Sequence, residues 1–221
     1  MDKLKKLPTI QRPDSLKDIA FKIIKDSIIN GSLSCGNIYS ENVISKKMGI
    51  SKTPVHEALL ELSHKGFIEI LPKKGFLVKD LSEKEVRDIY GFRLALEKDV
   101  VLRAIENIQK KDLSHLESIL NKSKDSKNVQ KFMENDIRFH RSLARLTNND
   151  QIIDALGGIW DLVVWVGFNA LTTKYGTDGV LDEHFALLDC IKKKDSDRAQ
   201  AVIEEHLSNS LDKILGTYHH G

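Results

Sequence analysis

The apolar positions of the first eighty residues change period twice. From about Ser15 to Asn30, Ile19, Ile23, Ile24 and Ile28 recur at helical spacing, and Gly31 ends the run. Two shorter helices follow, read from Tyr39-Ser-Glu-Asn-Val-Ile-Ser-Lys-Lys-Met48 and from Ser51 onward, with Gly49 between them as a left-handed stop. Val43, Ile44 and Met48 are expected to form the apolar face of the first, with Ser40 as its cap. Ser51 is expected to cap the second. Pro54 suits its first turn, where amides have no intrahelical partner. Val55, Ala58, Leu59 and Leu62 then point to a core, and Lys52, Thr53 and His56 point outward. Next, Phe67 to Leu71 and Gly75 to Lys79 read as two strands around Pro72-Lys73-Lys74-Gly75, a basic hairpin. The sum is a helix-turn-helix followed by a wing. Ser51, Lys52, Thr53 and His56 are candidates for touching DNA. Lys73, Lys74 and Gly75 at the wing tip are candidates for close approach to phosphates.

Beyond Ser82 the period stays helical. Ser82 and Glu85 form a capping-box pattern, and amphipathic segments follow over about 82–108, 111–124, 128–147, 149–173, 178–193 and 195–216. Asn148-Asn149, Gly176 to Gly179 and Lys192 to Asp195 mark turns. Consecutive helices on short connections predict an antiparallel all-helical bundle. The expected fold is therefore mainly α: residues 1–80 a winged helix-turn-helix, and 81–221 a helical domain for effector binding and dimerisation.

Charge sharpens the division. The whole chain of 221 residues carries +2, but residues 1–80 hold 14 Lys and Arg against 9 Asp and Glu, whereas 81–221 hold 20 against 23. Basic character is thus confined to the half with the DNA-binding pattern. Cys35 and Cys190 lie far apart and outside any Cys-x-x-Cys spacing, so neither a disulfide framework nor a cysteine zinc site is indicated. Residues 1–14 are polar and expected to be loosely ordered. They lack a signal-peptide core, and the apolar stretch Ile159 to Leu171 is short for a membrane span and contains Asp161 and Asn169. A cytoplasmic protein is expected.

Candidate chemistry lies in the helical half. Asp136 and His140, four residues apart, share one helix face; His184 and His206 each sit near the apolar side of their own helix. Together they can supply three nitrogens and one oxygen to Zn, Ni or Mn, with positions left for water or a carboxylate. The same spacing also suits core histidines bonded to carbonyls and an Asp136 paired with Arg138 or Arg141. Arg93 and Glu97 form a second pair at helical spacing. They read either as an arginine fork for an organic acid or as an intrahelical ion pair. His56, His64 and His115 are expected to be exposed, and His219 and His220 lie in the terminal tail. Phe132, Phe139, Trp160, Trp165 and Phe168 suit a core better than a pocket, and Asn169 is a candidate pocket residue.

Taken together, Gly49-Ile-Ser-Lys-Thr-Pro-Val-His-Glu-Ala-Leu59, Pro72-Lys-Lys-Gly75-Phe-Leu-Val78, Arg93-Leu-Ala-Leu-Glu97, Asp136-Ile-Arg-Phe-His140, Glu183-His184 and His206 carry a resemblance. The chain resembles the GntR family of bacterial transcription regulators, specifically the FadR-like subfamily with an FCD effector domain. The resemblance implies a homodimer on a short palindromic operator and Asp136, His140, His184 and His206 as a metal-binding set. It also implies that Arg93 faces an organic-acid effector and that DNA binding is repressive. Lys52 and His56 stand where the family usually has arginines, and neither reproduces arginine's fork to guanine. Two rivals stay open: a metal-dependent enzyme with Glu183 as base, and a metal-free regulator answering to a protein partner. The enzyme lacks support from any His-Glu-x-x-His motif, nucleophile or phosphate loop.

Overall fold

The computed structural model describes residues 14–126, 128–172, 177 and 179–218. The expectations for residues 1–13, Gly176, Asp178, His219 and His220 lie outside the described residues. The chain divides into two compact units between Lys79 and Asp80.

In the first unit α1 (Leu16–Ile29) is followed by β1 (Ile38–Tyr39), α2 (Glu41–Met48), α3 (Lys52–His64), β2 (Ile68–Leu71) and β3 (Gly75–Val78). Ser15 and Asp18 close a capping box at the start of α1. Its buried stripe is Ala20, Ile24 and Ile28, which packs on the α3 residues Val55, Ala58, Leu59 and Leu62. Ile19 and Ile23, expected in the core, are 41% and 48% exposed. Each lies one residue before the stripe and is therefore rotated by about 100° from it. Val43, expected on the apolar face of α2, is exposed too; the small Ser45 takes the buried position.

Gly49 ends α2 at φ 66, as its position demanded. Ser40 and Ser51 occupy the N-cap positions of α2 and α3, but neither side chain makes a capping bond. The reasons differ. The Val43 amide, which the Ser40 hydroxyl would have accepted, donates to the Ser40 carbonyl instead. At α3 the third helical residue is Pro54, which has no N–H to give.

The sheet has three strands in the order β1-β3-β2, all antiparallel. β1 is a two-residue strand that periodicity did not reveal. Pro72 and Lys73 turn the wing: the Lys74 amide donates to the Leu71 carbonyl, and Lys73 has φ 63. Proline followed by a positive φ is the pattern of a type II turn. Gly75 has φ 120, and a Cβ there would lie 2.0 Å from the Tyr39 carbonyl oxygen. Glycine at the wing is thus required first by the close passage of β1.

The second unit contains α4 (Glu83–Asn107), α5 (Lys110–Lys124), α6 (Val129–Arg145), α7 (Asp150–Ala170), α8 (Val180–Lys193) and α9 (Ser196–Leu215). Ser82 and Glu85 form the expected capping box. The buried side of α4 runs Val86, Tyr90, Arg93, Glu97, Val100, Val101 and Ala104, so a polar centre is flanked by apolar turns. α4 packs on α9, α6, α7 and α8. At 21 residues α7 is longer than the apolar run suggested and is long and apolar enough to cross a membrane; it packs against α4, α6 and α9.

Gly75→Ala is expected to lower the stability of the full chain by about 1–3 kcal/mol in urea unfolding, through the strained φ and the Tyr39 clash. An unchanged unfolding midpoint and slope would show that the β1–β3 approach imposes no constraint on this position.

Candidate functional site

On the first unit, Lys52 and His56 at the start of α3 share one groove with Lys73, Lys74 and Gly75 of the wing. Ser51 and Thr53 are exposed beside it but do not line it. The absent side-chain cap leaves the α3 N-terminus with first-turn amides of the kind that bind anions. His56 Nδ1 is 3.1 Å from Glu41 Oε1, so a carboxylate of α2 lies within the same groove and holds one side of the imidazole. That contact joins residues fifteen apart on different helices, and no local spacing signalled it. His64 and His115 are exposed.

In the second unit, Asp136, His140, His184 and His206 are all buried, and one ligand atom from each lies within 4.8 Å of the others. His140 Nε2 is 3.1 Å from His184 Nε2, which is 3.5 Å from Asp136 Oδ1. Asp136 thus faces the histidines, and Arg141 lies over the Trp160 ring instead. Phe139, fully buried, packs against the rings of His140 and His184.

The outer nitrogens are fixed by two carboxylates. His140 Nδ1 donates to Glu97 Oε2 at 2.6 Å, and His206 Nδ1 donates to Glu183 Oε2 at 2.7 Å. Burial would raise the Glu97 carboxyl, but the Arg93 charge and the hydrogen bonds from Arg93 and His140 outweigh it and hold the group down at about 2. An ionised carboxylate can only accept, so each Nδ1 carries a proton, and Nε2 is the nitrogen left to act as a ligand. Burial keeps His184 well below its ordinary value and lowers His206 as well. Lone pairs and one carboxylate oxygen therefore converge in a water-poor interior. This donor set, with second-layer carboxylates on two of its imidazoles, fits a divalent metal.

Glu183 does not stand free as a base. It accepts from His206 and from Asn209 Nδ2, and its carboxyl is held below the usual value by those bonds against the effect of burial. Glu97 likewise has a role that spacing alone understated. Arg93 Nε donates to its Oε1 at 2.6 Å, while Arg93 Nη2 is buried without a partner among the described residues.

Arg93, Asp136 and His206 line one small cavity. Tyr90 lines it as well, its phenol pushed up to about 12 chiefly by burial. Ser210 and Lys213 follow His206 along α9 into the same cavity; these residues were not anticipated as lining. Phe132 is part of the wall, whereas Trp160 and Trp165 belong to the core and Phe168 is half-buried. Asn169, the second expected effector residue, is exposed and outside the lining. Gly167 and Ala170 on either side of it turn α7 inward, and the helical period turns Asn169 out.

Residues 16–78 match the description "Bacterial regulatory proteins, gntR family", and residues 88–209 match the FCD domain. The HTH-type transcriptional repressor RspR of Escherichia coli K12 is 24% identical over 197 residues, covering 88% of this chain and 86% of its own. The gluconate operon transcriptional repressor of Bacillus licheniformis is 29% identical, covering 86% of this chain and 79% of its own. The solved structure of E. coli McbR/YncC shares the fold, with a TM-score of 0.79 at 20% identity over 93% of this chain and all of its own. The wing, the helix-turn-helix and the six-helix unit thus have one explanation: the chain belongs to the GntR family of DNA-binding bacterial transcription regulators and carries an FCD domain.

Proposed function

We propose that this regulator is a cytoplasmic, ligand-responsive repressor in which residues 1–80 bind a palindromic operator and residues 81–221 dimerise and sense a small carboxylate with a divalent metal. The observation that carries the sensing half is convergence. Asp136, His140, His184 and His206 hold their ligand atoms within 4.8 Å of one another, and Arg93, whose Nη2 has no partner among the described residues, lines the cavity that Asp136 and His206 also line. A divalent ion held by those four residues would supply a Lewis-acid anchor for a carboxylate. Zn, Ni and Mn all suit such ligands.

The protein's own residues do the rest. Glu97 and Glu183 orient His140 and His206 and keep their Nε2 lone pairs directed inward. Arg93 holds Glu97 through Nε and offers Nη2 to the incoming acid, so one residue serves both the metal half and the anion half of the site. An effector alters DNA affinity only if it binds two dimer geometries unequally. α4 carries Arg93 and Glu97 and begins at Glu83, five residues after β3 ends at Val78, so α4 is the element we expect to transmit the change. Repression accords with the relatives named as repressors.

On DNA, Lys52 and His56 of α3 are proposed to read bases, and Lys73 and Lys74 to neutralise phosphates. Ser51, Thr53 and Gly75 are proposed to make backbone-level contacts.

Metal analysis of protein purified without a tag is expected to give near one divalent ion per chain, lost in His184→Ala. Glu97→Gln, which keeps every ligand, is expected to weaken metal affinity by roughly 10- to 100-fold. Metal-free wild-type protein that cannot be reloaded would refute the metal half of the proposal. It would favour the metal-free regulator.

In operator binding, Lys73→Ala and Lys74→Ala should each weaken affinity for all sequences and reduce the salt slope by about 1. Lys52→Ala should instead change relative affinities across an operator library. Unaltered relative affinities would remove Lys52 from base reading.

A further inference from the structure

The groove between the start of α3 and the wing is lined by Lys52, Lys73 and Lys74, as suits a face that meets phosphates. Among the described residues that line it there is also one acid, Glu41, at the first position of α2. A carboxylate on such a face repels phosphates, so affinity for DNA does not account for it. Its partner does. Three lysines share the groove, yet among the described residues the Glu41 side chain pairs with His56: Nδ1 donates to Oε1 at 3.1 Å.

The two ends of this pair differ in exposure. The Glu41 side chain is 24% exposed and that of His56 49%, so the acid is the held end and the ring the end that reaches outward. α2 keeps Glu41 in place: it packs on α3, it buries Ser45 one turn on, and a carboxylate is favoured in a helix's first turn. A lone imidazole on a helix surface samples several rotamers, and either ring nitrogen can carry its proton. A carboxylate only accepts, so the contact puts a proton on Nδ1 and leaves Nε2 as the nitrogen that can meet a base. His56 and Lys52 are one turn apart on α3 and line the same groove, so the ring belongs to the face with which α3 would meet DNA.

We infer that Glu41 is a positioning residue for operator recognition: acting through His56, it fixes the ring's direction and the nitrogen offered, and so sets the preference at the base pair that His56 reads. The inference rests on the base-reading role proposed above for His56 and adds the group that gives this role a fixed direction. α2 thereby contributes to specificity without a base contact from Glu41 itself.

The test is a selection from randomised duplexes with the full chain, followed by competition binding of each variant to the selected site and to all its single-base variants. His56→Ala is expected to reduce discrimination at one base pair by about 3- to 10-fold, the worth of a single hydrogen bond. Glu41→Ala should reduce it at that same base pair, and the double variant should lose no more than either single one. Glu41→Leu, which keeps bulk but offers no acceptor, should behave as Glu41→Ala does. Glu41→Gln, whose amide oxygen still accepts from Nδ1, should retain most of the preference. If Glu41→Ala and Glu41→Leu leave discrimination at the His56 base pair intact, or weaken binding to every sequence alike, the inference is overturned and His56 remains a base reader. Losses at a different base pair, or losses that multiply in the double variant, also overturn it, because Glu41 would then act independently of His56. If His56→Ala leaves every relative affinity unchanged, the base-reading role of His56 and this inference fall together.

Discussion

Glu97 is an ionised carboxylate enclosed in a helical bundle, and removing such a charge from water costs several kcal/mol unless partners replace the water. Here the replacement comes from two directions. Arg93, one turn earlier on α4, donates through Nε, and His140 donates from α6. Neither partner could leave without exposing the other to an unpaired buried charge, so the three behave as one unit. The unit also fixes the tautomer of His140 and turns its Nε2 toward His184. Every later property of the site depends on that orientation, because a ring flipped at His140 would direct an N–H, not a lone pair, at the centre.

The same logic recurs at α8 and α9. Glu183 and His184 are adjacent, so their side chains diverge by about 100° around the helix. Glu183 reaches His206 and Asn209 on α9, whereas His184 turns to the centre. One helix thereby supplies both a ligand and the group that orients another helix's ligand. The arrangement leaves Arg93 with a donor that no group among the described residues accepts, and Arg93 is also part of the lining of the adjoining cavity.

Much of this was legible in the chain. The six helices of the second unit appear within about three residues of the spans that periodicity gave, because breakers and caps such as Ser82, Asn149 and Asp195 are local signals. The Asp136–His140 pairing followed from a single helical turn. What escaped was of two kinds. Some errors concern rotation: Ile19, Ile23 and Val43 are apolar and helical, but apolar residues cover more of α1 and α2 than their neighbours can bury. Others concern partners from distant segments. The bonds Glu97–His140 and Glu183–His206, the strand β1 and the Glu41–His56 contact all join residues that no period links. The serine caps failed for a further reason, since Pro54 and the Ser40 carbonyl remove the donors that the cap pattern assumes.

The Glu41–His56 contact bears on how the proposed DNA face would work. An arginine at position 56 would bring a planar fork with two parallel donors to a guanine edge. Histidine has two ring nitrogens, and one of them is engaged by Glu41. At most one remains for the groove, so position 56 can offer a base a single hydrogen bond. Lys52 adds a mobile point charge, not a second fixed direction. Discrimination among operators would then depend more on placement than on the strength of any one base contact. Placement is what the rest of the unit supplies: α3 rests on a fully buried apolar stripe, and Gly75 lets the wing pass against β1 beside the start of the same helix. A rigid frame carrying few directional donors is a physically consistent alternative to the paired arginines that this chain lacks.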